Sequence, residues 1–271
     1  MIKLYRVNKE GDFIEKFKED TKKERVHFLD EIRGLAIFCM LFHHAFYDIG
    51  TVLGRDIGYE LFDFFKIVQP FFWFAFIFIS GVCTNLSRNV LRRGCILMCV
   101  SFIITFVTAV IMPFLGFGGE EIYFGVIHCL ASCMIFTGLF KKLLAKINFK
   151  IALPILLVLF LITYNLQNGY LGFGSFSLDV PDALESVGFL FPIGITSSSF
   201  YSSDYFPLFP WLFMFLMGVY VGGVWKERGF PKFMYKSRSK FFAKLGRYSL
   251  YIYIAHQPIL FALFALIGIL I

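Results

Sequence analysis

Charge is scarce in this chain. Only 17% of its 271 residues are Asp, Glu, Lys or Arg, against about 25% in a soluble domain, which is too little to solvate a surface of this size. Also missing is the apolar–polar alternation of membrane barrel segments, so strands are not expected. The six cysteines (Cys39, Cys83, Cys95, Cys99, Cys129 and Cys133) fall inside apolar blocks and lack any metal-binding or redox spacing. They are expected to be buried, reduced thiols acting as small apolar residues, and no metal site is expected. No basic motif with base-stacking context occurs, which removes nucleic acid from the expected partners. Neither an internal repeat nor a low-complexity tract is found. About 25 mostly charged and polar residues precede the first apolar run, so no cleavable signal is expected there.

What is present is apolar. Hydrophobic residues make up 58% of the chain, aromatics 20%, and the 38 Phe exceed the needs of one globular core. The mean hydropathy of +0.72 agrees. The apolar residues come in blocks separated by short basic stretches, and a helix needs roughly 20 such residues to cross the hydrocarbon. The expected fold is therefore an all-α integral membrane protein with about seven transmembrane helices. The blocks run over Leu29–Ile49, Ile67–Leu86, Gly94–Phe114, Ile122–Phe140, Ile151–Tyr164, Pro207–Trp225 and Ser249–Ile271. The shorter apolar segment Ser186–Ile195 reads as a re-entrant or interfacial piece of a long loop. Residues 1–26 form an N-terminal tail, a solvated stretch or short surface helix, and residues 27–271 a single transmembrane domain.

Basic residues set the orientation. Of 26 Lys and Arg, 23 lie in the tail and in the second-to-third, fourth-to-fifth and sixth-to-seventh connections, all on one side of a seven-span arrangement. The connection Asn165–Phe206 has none. An excess of Lys and Arg marks the cytoplasmic side, so the topology is N-in/C-out in the cell (cytoplasmic) membrane. The pI near 9.0 thus reports topology. The basic connection from Lys226 to Arg247, interleaved with Phe230, Phe233, Tyr235, Phe241 and Phe242, is suited to lie on anionic lipid or to help hold a polyanionic cytoplasmic ligand.

Ionisable side chains inside a span cost about 2.5–3.5 kcal/mol each at mid-bilayer on insertion scales, and default to functional candidates. The first span carries Asp30, Arg33, His43, His44 and Asp48. From Arg33 to His44 the helix turns three times plus roughly 20°, so the two share one face about 16 Å apart. Asp48 follows one turn later, and His43 points elsewhere. The bland alternative is a pair of local ion pairs at the helix ends. His128 should lie near the depth of His44. His256 falls in the last span, with Ser249 and Tyr253 on its face, and a lone membrane His is often only a helix–helix hydrogen bond. Ser80, Gly81, Thr84, Asn85 and Arg88 form a stripe on the second span, able either to permit close helix packing or to admit a slender ligand.

The run Arg25–Asp48, with Leu29-Asp30-Glu31-Ile32-Arg33-Gly34-Leu35-Ala36 leading to His44 and Asp48, resembles the transmembrane acyltransferase families. The Arg-x10-His spacing is shared with the O-acetylating acyltransferase-three family. Other segments resemble the bacterial relatives of heparan-α-glucosaminide N-acetyltransferase. They are Phe78-Ile79-Ser80-Gly81 with Asn85-Leu86-Ser87-Arg88, Phe124-Gly125-Val126-Ile127-His128-Cys129-Leu130, and Ser203-Asp204-Tyr205-Phe206-Pro207-Leu208-Phe209-Pro210-Trp211. Leu245-Gly246-Arg247-Tyr248-Ser249-Leu250 with His256-Gln257-Pro258 resembles the family's last span.

This resemblance implies transfer of an acetyl group from cytoplasmic acetyl-CoA to an extracytoplasmic, glycan-like acceptor, through an amine or a hydroxyl. Arg33 and the basic loops would meet the CoA phosphates, and the pantetheine arm would run along the Ile37 and Met40 face towards His44. His44 would act as general base with Asp48 orienting its imidazolium, and His128 would donate to the thioester oxyanion. An acetyl-His intermediate and direct transfer both remain open. Arg33, Asn85, Arg88, Asp204 and His256 are expected to bind substrates. Further partners are the lipid bilayer and, left open by the sequence, a second copy of the chain. Two competing readings are a transporter or exporter of a small polar or glycan substrate, which usually shows repeated halves, and a non-catalytic binder of CoA or lipid.

Overall fold

The computed structural model describes residues 4–7, 13–16, 25–116 and 118–270. It is 73% helical with almost no strand. Within the tail, β1 (Leu4–Val7) and β2 (Phe13–Lys16) pair antiparallel, where the sequence reading allowed a solvated stretch or a short helix. The rest of that tail up to residue 24 lies outside the described residues, as does Ile271.

The principal helices are α1 (His27–Thr51), α2 (Asp56–Thr84), α3 (Val90–Phe106, running on through a π turn to Phe114) and α4 (Val126–Leu139). They continue with α5 (Phe149–Thr163), α6 (Leu208–Arg228), α7 (Lys240–Arg247) and α8 (Ser249–Leu270). Side-chain caps begin several of them: Asn89 accepts from the Arg92 N–H at 2.9 Å, and Ser239 from the Phe242 N–H at 3.3 Å.

Among the described residues, five helices are long and apolar enough to cross a membrane: α2, α3 with its extension, α5 with its extension to Asn168, α6 and α8. The count of about seven therefore rests on two further helices. α1 has the length, at 25 residues, but carries the ionisable stripe that lowers its hydropathy. α4 has the hydropathy but only 14 residues, roughly 21 Å of rise against a hydrocarbon core of about 30 Å. The second span also begins earlier than its apolar block, at Asp56 instead of Ile67, because the helix continues into polar residues.

Glycines set the helix crossings. A Cβ on Gly81 would meet the Phe215 carbonyl oxygen at 2.1 Å, and one on Gly218 the Phe78 oxygen at 2.1 Å, so α2 and α6 touch backbone to backbone. Asn85 closes the same crossing by donating to the Val219 carbonyl at 2.8 Å. At Gly81 and Asn85 the second-span stripe thus packs against α6. The main core gathers where α2, α4, α5 and α6 meet, with Phe215, Cys129 and Cys133 fully enclosed and Phe206 stacked on Trp211 at 4.5 Å.

One expectation needs correction. All six cysteines are free, but Cys95 and Cys99 are exposed and Cys83 is half-buried. Only Gly94 and Ser101 of the Val90–Phe106 segment are buried, so the thiols share the outward face of an apolar helix that composition cannot tell from its packed face. The basic connection from Lys226 to Arg247 carries structure of its own. It folds into α7, whose Ala243 and Gly246 are buried while Lys240, Lys244 and Arg247 are exposed. α7 docks on α1 so closely that a Cβ on Gly34 would sit 1.9 Å from the Phe242 oxygen, and one on Gly246 1.8 Å from the Asp30 oxygen. The Ser186–Ile195 segment holds a 3-10 turn at Phe191–Ile193, with Phe191 packed against the main core.

Candidate active site

The ionisable stripe of α1 faces α8, and the two helices run parallel. Near the start of both, Arg33 Nη2 donates to the Ser249 hydroxyl at 2.7 Å, with Cys83 of α2 beside it. Arg33 Nε is buried without a partner. Three turns on, the His44 and His256 rings meet edge to face, centroids 4.7 Å apart. One turn further, Asp48 is 2% exposed; its Oδ1 accepts from Gln257 Nε2 at 3.2 Å and its Oδ2 has no partner. The three stripe positions thus have three partners on one helix, Ser249, His256 and Gln257. His43 turns away towards α2, 4.5 Å from the Phe62 ring.

Hydrogen bonds assign the His256 tautomer. Its Nδ1 lies 2.6 Å from the Tyr253 carbonyl, which can only accept. Nδ1 therefore carries the hydrogen, and the buried, unpartnered Nε2 keeps a lone pair in the neutral ring. Tyr253 in turn donates its hydroxyl to Asp204 Oδ2, an oxygen that also accepts from the Val126 N–H at 3.3 Å. Asp204 sits in a left-handed backbone conformation, φ 53°, and joins α8 to the start of α4. Burial pushes its carboxyl up to about 6, with the bonds from Tyr253 and Val126 pulling the other way.

His128 is placed differently from expectation. Its Nδ1 accepts from the Gly125 N–H at 3.3 Å, and its Nε2 lies 3.1 Å from the Thr105 hydroxyl, which donates to the Ile122 carbonyl at 2.8 Å. Both ring nitrogens are thus engaged in tying the start of α4 to α3. No nitrogen is left to meet an oxyanion unless that network opens. Asn85 is likewise engaged with backbone, and Arg88 is exposed at the α2–α3 turn.

At the start of α1 a local ion pair does form, but without Arg33: Asp30 pairs with Arg25 at 2.7 Å and lies 3.8 Å from Arg247, while Arg33 turns to Ser249. Sequence reasoning did not single out Glu31, which is buried. Its Oε1 accepts from the Ser237 hydroxyl at 3.0 Å and from the N–H groups of Arg238 at 2.7 Å and Ser239 at 3.0 Å. This carboxylate holds the start of α7. Gln257 and Tyr253 were visible only as neighbours of His256.

Comparison with known proteins decides the family. The profile of the heparan-alpha-glucosaminide N-acetyltransferase catalytic family matches residues 25–258, most of the chain and all of the α1–α8 seam up to Pro258. The chain belongs to this family. No curated protein and no solved structure matches it. Membership makes the chain a multi-pass membrane protein of an acetyltransferase family, and acetyltransferases of this kind use acetyl-CoA as donor. The residues fit such a donor. Arg33 offers a buried, unpartnered N–H, and Lys240, Lys244 and Arg247 stand exposed on the helix docked beside it. No His/Cys/Asp/Glu group that could hold a metal occurs among the described residues.

Proposed function

We propose that the protein moves acetyl from cytoplasmic acetyl-CoA to a glycan-like acceptor on the opposite side, with the chemistry in the α1–α8 seam. The observation that carries this reading is the pair of His44 and His256, 4.7 Å apart at the far end of a face that begins with Arg33. Residues 27–271 act as one acyltransferase domain, N-terminus inside. Arg33 and the exposed cations of α7 take the phosphate end of the donor. The pantetheine arm runs along the Ile37 and Met40 face and brings the thioester to His44.

His44 removes the proton from the acceptor amine or hydroxyl as the nitrogen or oxygen attacks the thioester carbonyl. The C–S bond then breaks, and CoA leaves as a thiolate that takes up the proton. His256, with its uncommitted Nε2, shares the charge on the imidazolium. Asp48, with one unpartnered oxygen in a dry setting, supplies the opposite charge. Asp204, through Tyr253, positions His256. His128 acts by holding the α4 start that Asp204 grips.

Sealed vesicles of uniform orientation test this. With acetyl-CoA confined to the basic face and glucosamine to the other, acetylated glucosamine is expected on the far side only. Product formed when both are confined to the basic face would overturn the transmembrane scheme.

A further inference from the structure

The acceptor side of the protein carries an open cleft of about 230 Å³ that no role above uses. It is lined by Gln167, Asn168, Thr196, Phe200, Tyr201, Ser202 and Tyr205, hence by two carboxamides, four hydroxyls and three aromatic rings. Phe200 is held by stacking on Phe191 at 5.0 Å, and Ser202 by accepting from the Tyr123 N–H at 3.0 Å. A hydrogen-bond chain leads from the rim of the cleft towards the seam. The Tyr201 hydroxyl lies 3.2 Å from the Ser203 hydroxyl, which donates to Glu120 at 2.5 Å. Glu120 is within electrostatic reach of Tyr47 and Asp48 on α1.

The surroundings are one-signed. The two connections that build this face, residues 115–125 and 165–206, contain Glu120, Glu121, Asp179, Asp182, Glu185 and Asp204 and not one Lys or Arg. The basic residues elsewhere on this side, Arg55 and Lys66, belong to the α1–α2 region, and Lys66 is paired with Asp63 at 2.9 Å. Charges of one sign around a cleft raise the local concentration of the opposite sign and exclude their own, more strongly at low salt.

We propose that this cleft is the acceptor subsite, and that it selects an uncharged or amine-bearing sugar ring against sulfated or carboxylated ones. The carboxamides and hydroxyls satisfy sugar hydroxyls, Phe200 gives the ring an apolar edge, and the carboxylates favour an ammonium group over a sulfate. The inference rests on the acetyltransferase reading for the word acceptor, but binding needs no transfer. The whole protein in nanodiscs is titrated without donor by saturation-transfer NMR, using glucosamine, glucose and glucosamine 6-sulfate. Glucosamine is expected to bind, with the sulfated sugar at least tenfold weaker at low salt and the gap narrowing at high salt. Gln167→Ala and Tyr201→Phe, both at exposed positions, should weaken glucosamine severalfold and leave acetyl-CoA binding unchanged. Equal or tighter binding of the sulfated sugar, no saturation transfer to any of the three, or unaltered binding in both variants would each overturn the assignment. Loss of His44-dependent acetyl transfer with sugar binding intact would instead count against the catalytic reading alone.

Discussion

Gly34→Ala puts a single methyl group into the closest helix crossing of the molecule. The new Cβ would lie 1.9 Å from the Phe242 carbonyl oxygen, where real contacts stay beyond 3.0 Å, so α7 must retreat by about 1.1 Å. The obstacle is backbone, with no flexible side chain to swing aside. Retreat also draws the Arg238 and Ser239 N–H groups from Glu31, which they now meet at 2.7 and 3.0 Å. Overpacking costs about 1–3 kcal/mol, and a weakened hydrogen bond to a charged group about 1.5–3 kcal/mol. The two effects share one movement, so a total of about 2–5 kcal/mol is expected. Gly223→Ala is the control on the same chain. Its Cβ would find Asn85 Oδ1 at 3.7 Å, an ordinary contact, and helix propensity favours Ala over Gly by up to about 1 kcal/mol. Thermal unfolding of both variants in one detergent should show Gly34→Ala clearly lowered and Gly223→Ala unchanged or raised. Because α7 carries the exposed cations, Gly34→Ala should also raise the donor KM while leaving the acceptor KM alone. Equal stability of the two variants would refute the α1–α7 crossing and the donor platform built on it.

His44→Ala should abolish acetyl transfer with donor affinity kept within a few-fold, whereas His43→Ala, whose ring sits on α2, should keep most activity; matching losses in kcat would defeat the helix-face assignment. Arg33→Ala should raise the donor KM roughly ten- to hundredfold, the equivalent of about 1.5–3 kcal/mol for a charge-assisted hydrogen bond, and an unchanged KM with collapsed kcat would move Arg33 to the reacting centre. Asp204 has its folded pKa raised from 3.8 to about 6, so the folded protein holds the proton more tightly and loses that stabilisation as pH rises from about 4 to about 6. Asp204→Asn should flatten this part of the stability profile; identical slopes in the two proteins would show that Asp204 does not titrate in that window.

Membrane residence and the helix-face arrangement were legible early, since both are local properties. Block length against bilayer thickness reads out spans, and 100° per residue places Arg33, His44 and Asp48 on one face whatever surrounds them. The same reasoning misjudged elements whose outcome depends on neighbours. Cys95 and Cys99 look like core residues until α3 turns them outward. What the sequence could not show of Asn85 is that Gly218 and Gly222 bring α6 close enough for it to reach the Val219 carbonyl.

The sequence by itself determined that the chain is helical and membrane-embedded, that its basic residues segregate, and that one face of the first span carries an unusual ionisable stripe. Tertiary structure decided which helix that stripe meets. Ser249, His256 and Gln257 are 216, 212 and 209 positions from Arg33, His44 and Asp48, beyond any periodicity, and glycine-mediated crossings at Gly34, Gly81, Gly218 and Gly246 set which surfaces touch. It also decided that His128 spends both nitrogens on fastening α4, and that His256 brings an unpartnered Nε2 up beside His44. A residue type states which hydrogen bonds a side chain can make. Only packing states which of them are already taken.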